Sequence, residues 1–326
     1  MAPASMAASH VDVVAATVRD SMNAATSIVA ASWRRSMIYY GLDPAKSSSP
    51  VRLEASALAI SRERNGKLLE IARPSLERLF HTAGRAGCCV ALTDADGMVL
   101  ETSTTAGDQK AFSEWGLVEG AVWNEASEGT NGIGTCLAEK RPVIIFQNQH
   151  FRAKNIAMSC MGAPIHDAAG ELIAVLDVSN CRNDLTQSFA QVLGAVVTES
   201  ARSVETDLFR ASHPGARFIM TEGHGVAGVS LLAVDEDDLV IGASRLARRT
   251  LGITTESLSL LPALSEVLEG ADIRQGIGRA EKSEIRRALL RRKGNVTAAA
   301  KDLGISRATM YRRMNQHGLS AEEAGS

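Results

Sequence analysis

At 326 residues, with 45% hydrophobic and 22% charged side chains, the chain is long enough for two or three cored domains. It holds no apolar run near the roughly 18 residues that a membrane span requires. The formal charge of −2 excludes a uniformly basic nucleic-acid binder but hides an asymmetry: 281–319 sets ten Lys and Arg against three Asp and Glu, whereas 1–280 is net acidic.

The N-terminus lacks a basic start followed by an apolar core, so no signal peptide is expected and a cytoplasmic location is. Cys88, Cys89, Cys136, Cys160 and Cys181 show no CxxC spacing, and their number is odd. That pattern reads as reduced thiols rather than a disulfide frame or a zinc site.

In chain order, residues 1–86 form a helical N-terminal region. Good helix formers fill VDVVAATVRDSMNAATSIVAASWRRSMIYYGLDP, which Gly41 and Pro44 close. AKSSSPV reads as a linker. Helical spacing resumes from Leu53, with a break expected near Pro74 because proline lacks the amide donor and crowds the preceding turn.

Strands are expected next. CCVALTDADGMVLETS sets two apolar runs around the turn Asp94–Gly97, and APIHDAAGELIAVLDVS repeats the form around Asp167–Gly170. Between them lie a helix-rich stretch, the glycine-dense EGTNGIGTCL and the strand PVIIF. The fold class is therefore α+β: residues 87–205 form a sensor-like domain with one antiparallel sheet flanked by helices. EGTNGIG is neither GxGxxG after a strand nor GxxxxGK[ST], so it is not a nucleotide loop. Its glycines let the chain turn into a helix near Ile133, either as a purely structural turn or as one whose free N–H groups meet a ligand oxygen.

Residues 216–261 contain LLAVDEDDLVIGAS, again apolar–acidic turn–apolar, followed by the amphipathic SRLARRTLGI. Residues 262–280 read as a linker. From 281 to 319 the pattern is three helices. Ile285, Ala288, Leu289 and Arg292 recur at helical spacing, and Gly294 stops that helix. Asn295 caps a second over 296–303, Gly304 turns the chain, and Ser306 caps a third from Arg307 to about Gln316. Ala299 and Ala300 are small where two helices must cross closely. Ile305, Met310 and Met314 would face inward, which leaves Arg307, Ala308, Tyr311, Arg312 and Arg313 outward. A helix with a basic outer face and base-reaching N-terminal residues is how a helix-turn-helix reads the major groove.

The stretch SEIRRALLRRKGNVTAAAKDLGISRATMYRRMNQHGL resembles the Fis-type helix-turn-helix that ends many bacterial enhancer-binding regulators. That resemblance implies base contacts from Arg307 and the neighbouring Ser306, and phosphate contacts from Thr309, Arg312 and Arg313. It also implies a homodimer on a palindromic site of double-stranded DNA. WNEASEGTNGIGTCLAEKRPVII and CMGAPIHDAAGELIAVLDVS closely resemble the GAF domain of the acetoin and glycerol metabolism regulators, as ASWRRSMIYYGLDP resembles their N-terminal part. Residues 216–261 resemble a reduced PAS-type module. Full-length relatives carry a sigma-54 ATPase domain between sensor and DNA reader, and here about 20 residues stand in its place. The resemblance therefore implies the family's input and its DNA target without ATP hydrolysis, so that activation would act by recruiting RNA polymerase.

A small-molecule effector is expected in the sensor domain. Trp123, Cys136 and Cys160 would form its soft walls, and Thr130, Asn131 and His166 its polar contacts. No catalytic residue, cofactor or metal is expected, since the histidines form no HExxH and no recognisable triad motif. Two alternatives remain open at this stage. One is an antagonist subunit that pairs with a full-length sigma-54 activator. The other is a regulator that senses redox state through its thiols.

Overall fold

Three aspartates make the tight turns between β-strand pairs at Asp94, Asp167 and Asp235. Asp94 Oδ1 accepts from the backbone N–H of Asp96 and Met98 at 3.0 and 2.9 Å. Asp167 Oδ1 does the same with Ala169 and Glu171, both at 2.9 Å, and Asp235 Oδ1 with Asp237 and Leu239 at 3.0 and 2.8 Å. Each side chain thus adds an acceptor to a turn whose aspartate carbonyl also takes a backbone N–H, from Gly97, Gly170 and Asp238. The first two turns place Gly97 and Gly170 in the left-handed region, at φ 83° and 91°. The third uses Asp238 there at φ 60°, a position that aspartate tolerates better than most residues.

The computed structural model describes residues 4–20, 27–182, 184–222, 228–268, 276–292 and 294–319. The chain divides into two units, 1–209 and 210–326. The first begins with helices α1 (Ala4–Arg19) and α2 (Ile28–Arg34), the latter running on as a π-helical turn, Arg35–Tyr39. Helices α3 (Ala55–Arg64) and α4 (Gly66–Ala83) follow. Then come strands β1 (Cys88–Asp94) and β2 (Val99–Ser103), helices α5 (Gln109–Trp115), α6 (Glu125–Glu128) and α7 (Gly132–Glu139), strands β3 (Val143–Phe146), β4 (Ser159–His166) and β5 (Leu172–Asn180), and helix α8 (Gln187–Ser212).

The expected break at Pro74 does not occur. Helix α4 runs through it, and the chain breaks instead at Asn65, ahead of Gly66. The reason is packing. Leu68, Ala72, Leu76, Leu79 and Ala83 form one buried face on both sides of the proline, and that burial outweighs the loss of one helical hydrogen bond.

The five strands form one antiparallel sheet in the order β2-β1-β5-β4-β3. Alternation along each strand gives it two covered faces. On one, Val90, Leu92, Met161, Ile165, Leu176 and Val178 pack against α4 and against Leu193, Val197, Ala201 and Val204 of α8. On the other, Cys89, Ala91, Cys160 and Val175 pack against Phe112, Trp123, Ile133 and Cys136 from α5, α7 and the turns around them. Cys88 and Cys89 therefore belong to different cores. The last residue of the expected linker joins this layer, since Val51 O accepts the Val122 N–H at 2.9 Å, and Arg52 just beyond it bridges to Ala121. Val14, Val18 and Trp33 of α1 and α2 close over Phe151.

The second unit opens with strands β6 (Arg217–Thr221), β7 (Ser230–Val234) and β8 (Val240–Ala243), an antiparallel sheet in that order. Helices α9 (Arg245–Leu251), α10 (Thr255–Ser259) and α11 (Leu264–Leu268) follow. Val267 of α11 is buried in this module's core, so the start of the expected linker, 262–280, is a packed helix; 269–275 lie outside the described residues. Last come α12 (Gly276–Arg291), α13 (Val296–Asp302) and α14 (Arg307–Gln316). They share the core of Ile285, Ala288, Leu289, Val296, Ala299, Ala300, Met310 and Met314. Asn295 and Ser306 cap α13 and α14, each accepting a backbone N–H at 3.1 Å. Gly304 makes the turn between them at φ 64°.

Candidate functional site

Helix α14 has one buried side and one open side. Met310 and Met314 anchor it, while Arg307, Ala308, Tyr311 and Arg312 are exposed. The α12–α13 corner is locked by Arg292, whose guanidinium grips the Asp302 carboxylate through two N–H donors at 2.7 and 2.9 Å. The pair bridges the ends of α12 and α13 without using α14.

Of the sequence-assigned residues there, Arg313, Ser306 and Thr309 have partners inside the protein. Arg313 is half-buried and ion-paired with Glu281 of α12. His317 Nε2 lies 3.2 Å from the same carboxylate. Ser306 Oγ caps the helix and sits 2.8 Å from Thr309 Oγ1. Glu281, which sequence reasoning did not single out, thus ties the C-terminal end of α14 to α12. The two residues are 32 positions apart, and no local spacing announces the pair.

None of the six residues expected around an effector lines the open cleft between the end of β2 and α5, and all six are buried. Trp123 is 1% exposed and donates its indole N–H to Gly116 O at 3.1 Å. Thr130 Oγ1 lies 2.6 Å from Ser32 Oγ of α2. Asn131 caps α7, accepting Gly134 N–H at 2.9 Å. Cys136 and Cys160 are buried between α7 and the sheet. His166 lies at the end of β4, where the pairing with β5 slips. Its imidazole there turns to Glu205 on α8, Nδ1 to carboxylate 2.6 Å. Trp123, Thr130 and Asn131 each have a full structural role, as core, tether and cap.

The open cleft measures about 950 Å³, and Cys89, Thr102, Thr104, Gln109, Phe112 and Leu117 are among its lining residues. Next to it on the sheet stands a group that sequence reasoning missed. Asp177 is fully buried, its Oδ2 accepts the Ser179 hydroxyl at 2.6 Å, and its Oδ1 has no protein partner. Gly132 at the start of α7 covers it so closely that a Cβ there would stand 2.4 Å from Oδ1. Burial pushes the Asp177 carboxyl up to about 7, opposed only in part by the Ser179 hydroxyl. The thiols of Cys89, Cys136 and Cys160 are pushed up by burial first and by the Asp177 charge second. They are therefore held as thiols, and a thiol is a poor nucleophile. This argues against the redox alternative at these three positions.

The Asp177 shift has a sign that can be measured. Its folded-state pKa lies above the ordinary carboxylate value. The native state keeps a proton that the unfolded chain releases, so stability falls as pH rises from about 4 to about 7. Asp177→Asn removes that term. In urea unfolding at a series of pH values, the variant should gain on the wild type across this window, by roughly a few kcal/mol at its upper end. A difference that does not change with pH would mean that Asp177 is ionised in the fold throughout.

Among the described residues, no helix is long and apolar enough to cross a membrane, and no group of three or more His, Cys, Asp or Glu is placed to hold a metal.

Comparison with known proteins resolves the same two parts. The GAF domain family matches residues 67–204. The family described as bacterial regulatory protein, Fis family, matches 277–317. The acetoin catabolism regulatory protein of Cupriavidus necator is 31% identical over 226 residues, which is 68% of this chain and 34% of that protein. The acetoin dehydrogenase operon transcriptional activator AcoR of Bacillus subtilis is 32% identical over 154 residues, 46% of this chain and 25% of that protein. The chain thus spans about a third of the first relative's length and a quarter of the second's. The crystal structure of the E. coli DhaR(N)–DhaL complex aligns over 73% of this chain and 80% of its own, with a TM-score of 0.51 and 17% identity, a likeness of fold. The matched families and relatives are those of transcriptional regulators rather than of enzymes. The chain therefore joins a GAF domain to a helix-turn-helix of the bacterial regulatory Fis family, and its homologues are transcriptional activators of the acetoin-regulator type.

Proposed function

We propose that this chain is a sequence-specific DNA-binding transcriptional regulator whose GAF domain takes the input and whose helix α14 enters the major groove. One observation carries the reading: α14 buries Met310 and Met314 and leaves Arg307, Tyr311 and Arg312 exposed. An arginine at the start of such a helix fits guanine O6 and N7 in bidentate fashion. A single short module gains affinity by pairing with a second on half-sites about one DNA turn apart, which favours a homodimer on a palindromic site.

The input is a small molecule. The cleft beside Cys89 supports its entry better than the filled surroundings of Trp123 do, because ligand sites are concave. An effector shifts DNA affinity only through its differential affinity for two states, about 5- to 150-fold in typical couplings, and DNA shifts effector affinity by the same factor.

ATP is not part of the mechanism. No GxxxxGK[ST] loop occurs in the 326 residues, and that loop is what cradles the phosphates in such ATPases. The regulator would then act by recruiting RNA polymerase or by occupying promoter sites. A mobility-shift series with the full chain, with and without ATP, followed by transcription from a bound promoter, tests this. Retarded complexes and a transcriptional effect at zero nucleotide are expected. No DNA complex under either condition would refute the DNA reading, and an effect that needs ATP would refute the nucleotide-free mechanism.

A further inference from the structure

Arg307 and Tyr311 are four residues apart on α14, so their side chains stand on one face, one above the other. The guanidinium carbon of Arg307 lies 5.5 Å from the centroid of the Tyr311 ring. Its Nη2 is 3.5 Å from the phenol oxygen. Neither group is claimed by the core: Arg307 is exposed and Tyr311 is 41% exposed. Arg287, Arg291, Arg292 and Arg313 are ion-paired with Glu284, Asp237, Asp302 and Glu281. Arg307 instead meets an aromatic face, which orients a cation without cancelling its charge.

We propose that Tyr311 is a positioning residue for base reading, holding the Arg307 guanidinium as a preset plane rather than touching a base itself. The inference rests on the proposed DNA reading. Its physical basis is that an arginine side chain at a helix start has many rotamers, and a bidentate contact to one base edge uses only a few of them. A ring beneath the guanidinium removes most of the others in the free protein. Less order is then lost on binding, and the gain applies only where a guanine edge matches the plane. Ala308 beside Arg307 is small and exposed, so its own side chain does not obstruct the approach. The role belongs to the ring. The hydroxyl contact, at 3.5 Å, is at the limit of a hydrogen bond and adds little.

The test uses the full chain and a duplex DNA fragment recovered from its sites in cells, with each guanine replaced in turn by adenine. Fluorescence anisotropy gives the affinity ratio between intact and substituted fragments for the wild type, Arg307→Ala, Tyr311→Ala, Tyr311→Phe and the Arg307→Ala/Tyr311→Ala double variant. Circular dichroism melting checks that each variant folds. One guanine of each half-site, the two related by the site's symmetry, should lose its preference in Arg307→Ala. At those guanines alone, Tyr311→Ala should lower the ratio about fivefold, Tyr311→Phe should keep it, and the double variant should match Arg307→Ala. A uniform loss of affinity on all fragments in Tyr311→Ala would make Tyr311 a backbone contact and overturn the proposal, as would an effect that adds to that of Arg307→Ala. Should Arg307→Ala change the preference at no guanine, the base-reading role of Arg307 fails, and the role of Tyr311 falls with it.

Discussion

Replacing Trp123 by alanine should cost the GAF domain about 3–5 kcal/mol of folding stability, the usual loss for a buried tryptophan. Trp123 is the largest fully buried side chain among the described residues. It fills the space between α5, α7 and the sheet, beside Phe112, Ile133 and Cys136, and its indole N–H is used by Gly116 O. Truncation removes the transfer term and leaves a cavity that the α7 turn cannot close. Gly134 already packs so tightly against the backbone of Trp123–Glu125 that a Cβ there would meet it at 2.6–2.8 Å. Trp123→Phe keeps most of the volume and loses only the donor, so it should cost less than half as much. Urea unfolding of the three proteins, followed by circular dichroism, gives the numbers. A loss below about 1 kcal/mol in Trp123→Ala would mean that the ring is not core. Because the expected loss is so large, Trp123→Ala is a variant of stability and a poor probe of effector binding.

The hairpins were legible because their signal is local. DADG, DAAG and DEDD carry the turn-making aspartate inside four residues, and each does in the structure what its chemistry allows. The three-helix end was legible for the same reason, with cap, glycine and apolar spacing all lying between Ile285 and Met314. What escaped is what depends on distance in sequence. Pro74 was overruled by a core face that only the folded sheet provides. Arg313 is drawn inward by Glu281 from another helix. His166 leaves the cluster expected of it because strand pairing slips at its position and Glu205 of α8 is waiting there. Asp177 sits in LIAVLDVSN, a strand buried on both faces. With no polar face to alternate against, one aspartate in it carried no positional signal, although an acidic side chain in such a run is itself the anomaly.

The second large effect concerns the outer face of α14. Arg307→Ala should cost about 1–3 kcal/mol per half-site of a cognate site, all of it at one base position of that half-site, because a bidentate contact discriminates by leaving its partner unpaired on the wrong base. Arg312→Ala should act differently. Its side chain is exposed on the same helix, without the helix-start position from which bases are reached. It should weaken binding on every sequence and reduce the slope of log affinity against log salt by about 1. Arg313→Ala should change that slope less than Arg312→Ala does, since Glu281 already offsets the Arg313 charge. Salt titrations of the three variants on one duplex separate these outcomes.

The central claim is that this chain reads a DNA sequence through α14. Genome-wide occupancy of the wild type and of Arg307→Ala in the same cells tests it most directly. The account predicts that wild-type sites share an inverted repeat with half-sites about one helical turn apart, and that Arg307→Ala loses the preference for one symmetry-related base pair of that repeat while keeping the rest. Wild-type occupancy with no shared sequence, or an unchanged motif in Arg307→Ala, would contradict it.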